Sequence, residues 1–240
     1  MNKPTKNQTK SKQRVADHGE VFTAEREVNA MLDLVKQETE RIESRFLEPA
    51  CGDGNFLAEI LRRKLAVVKS RYGKHAADYE RYAVIAVTSI YGVDILEDNV
   101  DACRRRMFEI WDKEYTAVCR KEANDDCREA VRYILKHNIL CGDALTLKQS
   151  DGTPIIFAEW SMVNGCLIKR RDFRFDRLLE VNEQQMKRHG SRLDRKIEGH
   201  EQQMTLPMTG LEYDEETQAF IPLPIREFPP THYRRVQDNG

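Results

Sequence analysis

Two glycines one residue apart, Gly52 and Gly54, stand in the stretch "RFLEPACGDGNFL" between an apolar run and an apolar helix start. Glycine permits positive φ and lets a ligand press against bare backbone. The helix beginning near Asn55 offers free N–H groups and a positive dipole end, which suit a carboxylate or a phosphate. Farther on, Asp94 closes "YGVD" and Asp143 follows "ILCG". A carboxylate at the first place can accept bonds from both hydroxyls of a ribose. One at the second can accept from an adenine amino group. Asp94 lies farther downstream than the ~20 residues typical of dinucleotide folds, because an extra helix intervenes. Each acid alone reads as an ordinary loop residue. The ordered set reads as a nucleotide site, because α/β folds bind ligands at the carboxyl ends of parallel strands.

Such residues need strands and helices to hold them. Val28, Met31, Leu32 and Val35 recur at spacings of three and four, and Thr23 with Glu25 and Glu27 suits a helix start. "RFLEPA" reads as a short buried strand, and "NFLAEILRRKLAVVKSRYG" as an amphipathic helix stopped by Gly73. A helix over "HAADYERYAVIAVTS" precedes the strand "IYGVDI". Long helical runs over "LEDNVDACRRRMFEIWDKEYTAVCRK" and "DDCREAVRYILKHN" precede the strand "ILCGDAL", and "TPIIFAEW" is a fourth strand. Strands alternating with helices predict a mostly parallel α/β sheet. After Trp160 the pattern fades. "CLIKRRDFRFDRLL" suits a strand and a helix, residues 177–204 a charged helix, and "FIPLPIREFPPTHYRR" a Pro-rich extended segment.

The chain has 240 residues, enough for one domain with appendages. The expected division is a disordered basic tail over 1–17, a ligand-binding domain over 18–175 and an extension over 176–240. Hydrophobic content of 40% allows a real core, and a formal net charge of −1 excludes a global basic field that recruits nucleic acid. No run of eighteen apolar residues suggests a membrane span, and the polar N-terminal stretch lacks the apolar region of a secretory signal. The six cysteines form no C-x-x-C pair and no His stands at metal spacing, so a cytoplasmic protein with reduced thiols and no metal is the expectation.

The sequence also resembles a family. "FLEPACGDGNFL" is similar to the cofactor motif of the adenine-N6 DNA methyltransferases, usually D-P-A-C-G-S-G-x-F. "HGEVFTAEREVNAML", "YGVDILEDNVDACRRRM" and "ILCGDAL" resemble that family's N-terminal, ribose-binding and adenine-contacting segments, in order over residues 18–160. The resemblance implies a Rossmann-like methyltransferase fold, here truncated in its C-terminal strands, and S-adenosylmethionine as cofactor. Thr23 and the backbone of Gly52 and Gly54 would hold the amino-acid end, with Glu48 and Ala50 in the same motif. Asp94 would hold the ribose, and Asp143 with Ala144 the adenine, while Ile95 or Phe56 packs nearby. Asp53, where the family usually has Ser, would bond the cofactor's ammonium group or cap the helix.

One piece departs from the family. Its [DNS]-P-P-[YFW] tetrapeptide after the fourth strand, which bonds and stacks on the target base, is replaced by "FAEW". Glu159 and Trp160 are the residues at that place able to accept protons and to stack. They are therefore the expected catalytic pair. "IKRRDFRFDR" interleaves cations with Phe173 and Phe175 and suits either a nucleic-acid contact or a solvated edge strand. The expected function is methyl transfer to a base in DNA or RNA. Its rivals are a cofactor-binding remnant and a split enzyme whose partner subunit supplies target recognition.

Overall fold

The structure is a computed structural model that describes residues 13–14, 23–178, 211–214 and 219–239. Between residue 23 and the end of the third strand the α-helices are α1 (Glu25–Asp33), α2 (Lys36–Thr39), α3 (Asn55–Tyr72), α4 (Ala76–Thr88), α5 (Glu97–Cys119) and α6 (Asp125–Asn138). Between them run β1 (Phe46–Glu48), β2 (Ile90–Asp94) and β3 (Ile139–Cys141), paired in parallel in the order β1-β2-β3. This is the α/β arrangement that the alternating pattern predicted. The helix boundaries follow local chemistry. Asn124 caps α6 by accepting from the N–H groups of Asp126 and Cys127, while Ala24, not Thr23, is the N-cap of α1 and makes no side-chain bond.

Alternation along β2 separates two cores. Ile90 belongs to the large core that joins α3, α4, α5 and α6. Tyr91 and Val93 point the other way and pack with Ile155, Phe157 and Phe175. Along α5 the buried residues Asn99, Cys103, Met107, Trp111, Tyr115 and Cys119 recur every fourth position, one continuous stripe facing the core.

The fourth strand departs from expectation. β4 (Ile156–Asn164) does not join the parallel sheet but forms an antiparallel hairpin with β5 (Leu167–Arg174). β5 also pairs with two short strands, β8 (Arg226–Glu227) and β9 (Thr231–His232), while β6 (Leu211–Asp214) and β7 (Ala219–Pro222) pair with each other. A second, antiparallel sheet therefore stands where a truncated parallel sheet was expected. Residues 233–239 form a 3₁₀ segment that buries Tyr233 and Val236 in the large core. The Tyr233 hydroxyl and the Arg234 guanidinium both donate to the buried Glu80 carboxylate, which also accepts from Tyr115. The C-terminal segment is thus part of the main core rather than an extension. The charged helix expected over 177–204 lies, beyond residue 178, outside the described residues. Among the described residues no helix is long and apolar enough to cross a membrane.

At the amino end of the sheet, Lys64 of α3 is fully buried. Its Nζ donates to the carbonyls of Ile42 and Ser44 and, at 2.6 Å, to Ser89 Oγ. Three donors meet three acceptors, which clips the 42–45 turn to the start of β2. Burial nonetheless pulls its pKa down to about 7, with Glu38 and Glu43 opposing the fall. In the unfolded chain Lys64 keeps its proton to a pH of about 10.4. The unfolded state therefore binds more protons above pH 7, and native stability rises with pH there. Urea titrations from pH 7 to about 8 should show Lys64 adding roughly 1 kcal/mol, read as the difference from a Lys64→Met variant because the buried thiols, half ionised at about pH 8.5 once unfolded, pull the other way in both proteins. Lys64→Met should flatten that slope, and equal slopes in both proteins would refute the linkage.

Candidate functional site

The carboxyl ends of β1, β2 and β3 open into a crevice of about 580 Å³. Three loops build it. The first runs from Glu48 to Phe56, the second is the turn from Asp94 into α5, and the third is Gly142 to Leu145. Thr23 closes one side, where its carbonyl accepts from Asn55 Nδ2 at 3.3 Å. Thr23, Glu48, Ala50, Gly52, Phe56, Asp94, Ile95, Asp143 and Ala144, all expected cofactor contacts, line this one space.

The glycine turn is held by backbone conformation. Gly52 has φ +54° and Gly54 φ +86°, both in the left-handed region that glycine alone enters freely. Gly54 is the N-cap of α3, so no side chain caps that helix, and its first turn holds no acid. Asn55 and Phe56, the first helical residues, face the crevice. By contrast α5 carries Glu97 and Asp98 in its first turn and α6 has its Asn124 cap. The start of α3 thus has neither a capping side chain on its N-cap nor an acid in its first turn. Asp53 does not serve there. Its carboxylate pairs with Arg106 of α5 at 3.1 Å, and Arg106 also donates to Asn55 Oδ1 at 2.8 Å.

The acids of the site differ in how much of them is spoken for. Asp94, 8% exposed, accepts from Gly52 N at 2.8 Å through Oδ2, and from Leu96 N at 2.9 Å and Asn99 Nδ2 at 3.1 Å through Oδ1. Asp143 closes its own turn, accepting from Leu145 N at 2.8 Å and from the Thr146 hydroxyl at 3.0 Å. The Leu145 N–H bond chiefly holds its pKa below the usual value. Glu48 has no ion-pair partner among the described residues. Burial raises its pKa, against the Ala50 N–H that favours the charged form. Among the described residues no lysine, arginine or histidine lines the crevice.

Comparison with protein-family models, curated proteins and solved structures finds no match to this chain. The site stands on its own geometry.

The expected catalytic pair is not at this site. β4 starts beside β3, with Ile155 packed under Gly142, and runs back toward the amino end of the sheet. Trp160, 7% exposed, donates from Nε1 to Asn138 Oδ1 at 2.8 Å and packs edge-on against Tyr133 and His137. Glu159 is clamped between Arg45 at 2.6 Å and Arg171 at 2.5 Å. Both residues are structural, and neither lines the crevice. The basic segment is corrected in the same way. Phe173 and Phe175 are buried, and Lys169, Arg170, Arg171 and Arg174 pair with Glu227, Asp172, Glu159 and Asp176. No aromatic surface is left there for a base.

Three residues escaped the sequence reading. Asn99 is the one polar member of the buried stripe on α5, and that break in an apolar period was the available signal. Leu145 is a largely exposed apolar residue of the third loop. Arg14, placed by sequence in a disordered tail, is helical and bonded to Asp98 and Asn99.

The glycine turn gives a direct test. A Cβ at Gly54 would sit 2.6 Å from Cys103 Sγ, on top of the unfavourable φ. Gly54→Ala should cost roughly 2–4 kcal/mol in urea unfolding. Cys103→Ala in the same chain should recover only the steric part, and full recovery would show that φ carries no strain.

Proposed function

We propose that the crevice binds S-adenosylmethionine and that this chain is the cofactor-binding part of a methyltransferase resembling the adenine-N6 DNA methylases. The observation that carries the reading is the charge pattern of the crevice. Among the described residues Glu48, Asp94 and Asp143 line it and no cation does, beside a helix whose N-cap is a glycine. A dinucleotide brings a pyrophosphate, which three carboxylates repel. S-adenosylmethionine brings an ammonium and a sulfonium for the acids and one carboxylate for the helix end. The donor set therefore fits this ligand better than NAD.

When bound, S-adenosylmethionine supplies a methyl group activated on its sulfonium. The protein's part is to hold and orient it. The N–H groups at the start of α3 would take the carboxylate, and Glu48 the ammonium. Asp94 Oδ2, which accepts one bond within the protein, retains a lone pair for a ribose hydroxyl. Ile95 and Leu145 offer apolar surface to the adenine, with the Asp143 turn at its amino edge. The finer assignment to a Rossmann-like methyltransferase fold belongs to this proposal.

The acceptor half is different. Because β4 carries Glu159 and Trp160 to the amino end of the sheet, the split-enzyme reading takes precedence over a self-sufficient enzyme. A second chain would bring the groups that grip and stack a DNA or RNA base.

Calorimetric titration with S-adenosylmethionine, its demethylated product and NAD tests the cofactor reading. The first two should bind and NAD should not. Glu48→Gln should weaken binding by about 1.5–3 kcal/mol, roughly tenfold or more. Tight NAD binding, or Glu48→Gln binding like wild type, would sink the assignment. A tritiated-methyl assay on unmethylated DNA, with and without cell extract, then separates the split enzyme from a remnant.

A further inference from the structure

Arg14 lies 84 residues upstream of Asp98, yet its guanidinium grips the first turn of α5. It donates to both oxygens of Asp98, at 2.8 and 3.1 Å, and from Nη2 to Asn99 Oδ1 at 3.3 Å. Asn99 in turn lines the crevice and donates from Nδ2 to Asp94 Oδ1 at 3.1 Å. A continuous chain of donors thus runs from guanidinium through amide to carboxylate.

The orientation of the middle link matters. With Oδ1 held by Arg14, the Asn99 amide presents its N–H₂ to Asp94. Polarisation by the guanidinium strengthens that donor, because bonds in a chain reinforce one another. Asp94 Oδ1 is drawn toward α5 by two donors, Leu96 N and Asn99 Nδ2. Oδ2 is left facing Gly52 and the crevice.

We propose that Arg14 is a positioning residue for the nucleoside end of the ligand, acting through Asn99 on the carboxylate of Asp94. This rests on the cofactor reading above. Arg14 makes no contact with the ligand in this view. It sets which oxygen of Asp94 the ligand meets, and it links the N-terminal segment to the site. A planar fork that spans Asp98 and Asn99 together is a property of arginine and not of lysine.

The test uses the full chain with four measurements. These are S-adenosylmethionine affinity, adenosine affinity, melting temperature and the side-chain amide resonances of Asn99 in a ¹⁵N-labelled sample. Arg14→Ala should weaken both ligands roughly three- to tenfold. The Asn99 amide signals should shift and exchange faster, while the melting temperature stays within a few degrees. Arg14→Lys should keep the Asp98 pair but recover only part of the affinity. Arg132→Ala, an exposed arginine of α6 paired with Glu129, should leave every reading unchanged.

Wild-type affinity in Arg14→Ala with unmoved Asn99 resonances overturns the proposal and leaves the cofactor reading standing. Equal loss in Arg14→Ala and Arg132→Ala also overturns it, since the effect is then one of net charge. Failure of the wild-type chain to bind either ligand removes both readings together. If Arg14→Ala melts far below wild type, Arg14→Lys decides: full affinity there refutes the need for the fork.

Discussion

Asp94 is the residue at which the three loops of the crevice meet. Its two carboxylate oxygens accept from Gly52 N, Leu96 N and Asn99 Nδ2, and its backbone carbonyl accepts from Gly142 N at 2.9 Å. One residue thereby fixes the glycine turn after β1, the entry to α5 and the exit from β3. A buried carboxylate is costly unless donors surround it. Here one N–H from the glycine turn and two from the turn into α5 do so, while the third loop is tied to the same residue through its backbone carbonyl. The positive φ at Gly52 follows from the same demand, because the turn must aim its N–H inward at Asp94.

The sequence made this corner legible because its parts are encoded locally. A G-x-G turn requires glycine for conformational reasons. The acids at 94 and 143 stand at the ends of short apolar runs that could hardly be other than strands. The parallel order β1-β2-β3 followed from helices of sufficient length between them. What the residues around Asp94 could not disclose is how the carboxylate divides its bonds. That depends on Asn99, five residues on, and on Arg14, which is close only in space.

β4 is the opposite case. "TPIIFAEW" reads correctly as a strand, since its apolar and β-branched content is local. Its direction and partner are not local properties. The choice between a place in the parallel sheet and folding back on β5 is made by tertiary contacts. The Tyr91 hydroxyl donates to Ala158 O at 3.0 Å, Phe157 packs edge-on against Tyr91 and Phe175, and Trp160 reaches Asn138. The Gly165 turn, with φ +53°, then lets β5 pair along nearly the whole of β4. Residues chosen by alignment to a tetrapeptide thus proved to be hairpin residues. The same long-range pairing drew 226–239 into the core through β8, β9 and the Glu80 cluster.

These two halves bear on each other through stability. The crevice loops are tied by hydrogen bonds to one residue, Asp94, while Ile95 and Leu145 stay exposed. Regions held this way open at lower free energy than the core beneath them. A ligand that shares Asp94 Oδ2 would add a further bond to the residue that already orders all three loops. Its binding energy would therefore appear partly as order in the loops and partly as resistance of the whole fold to unfolding. The start of the hairpin takes part in that coupling, because Phe157 shares a cluster with Ile155, Tyr91 and Val93 against which Ala144 of the third loop packs. The crevice thus sits at the carboxyl end of a core that the hairpin and the C-terminal segment help to build.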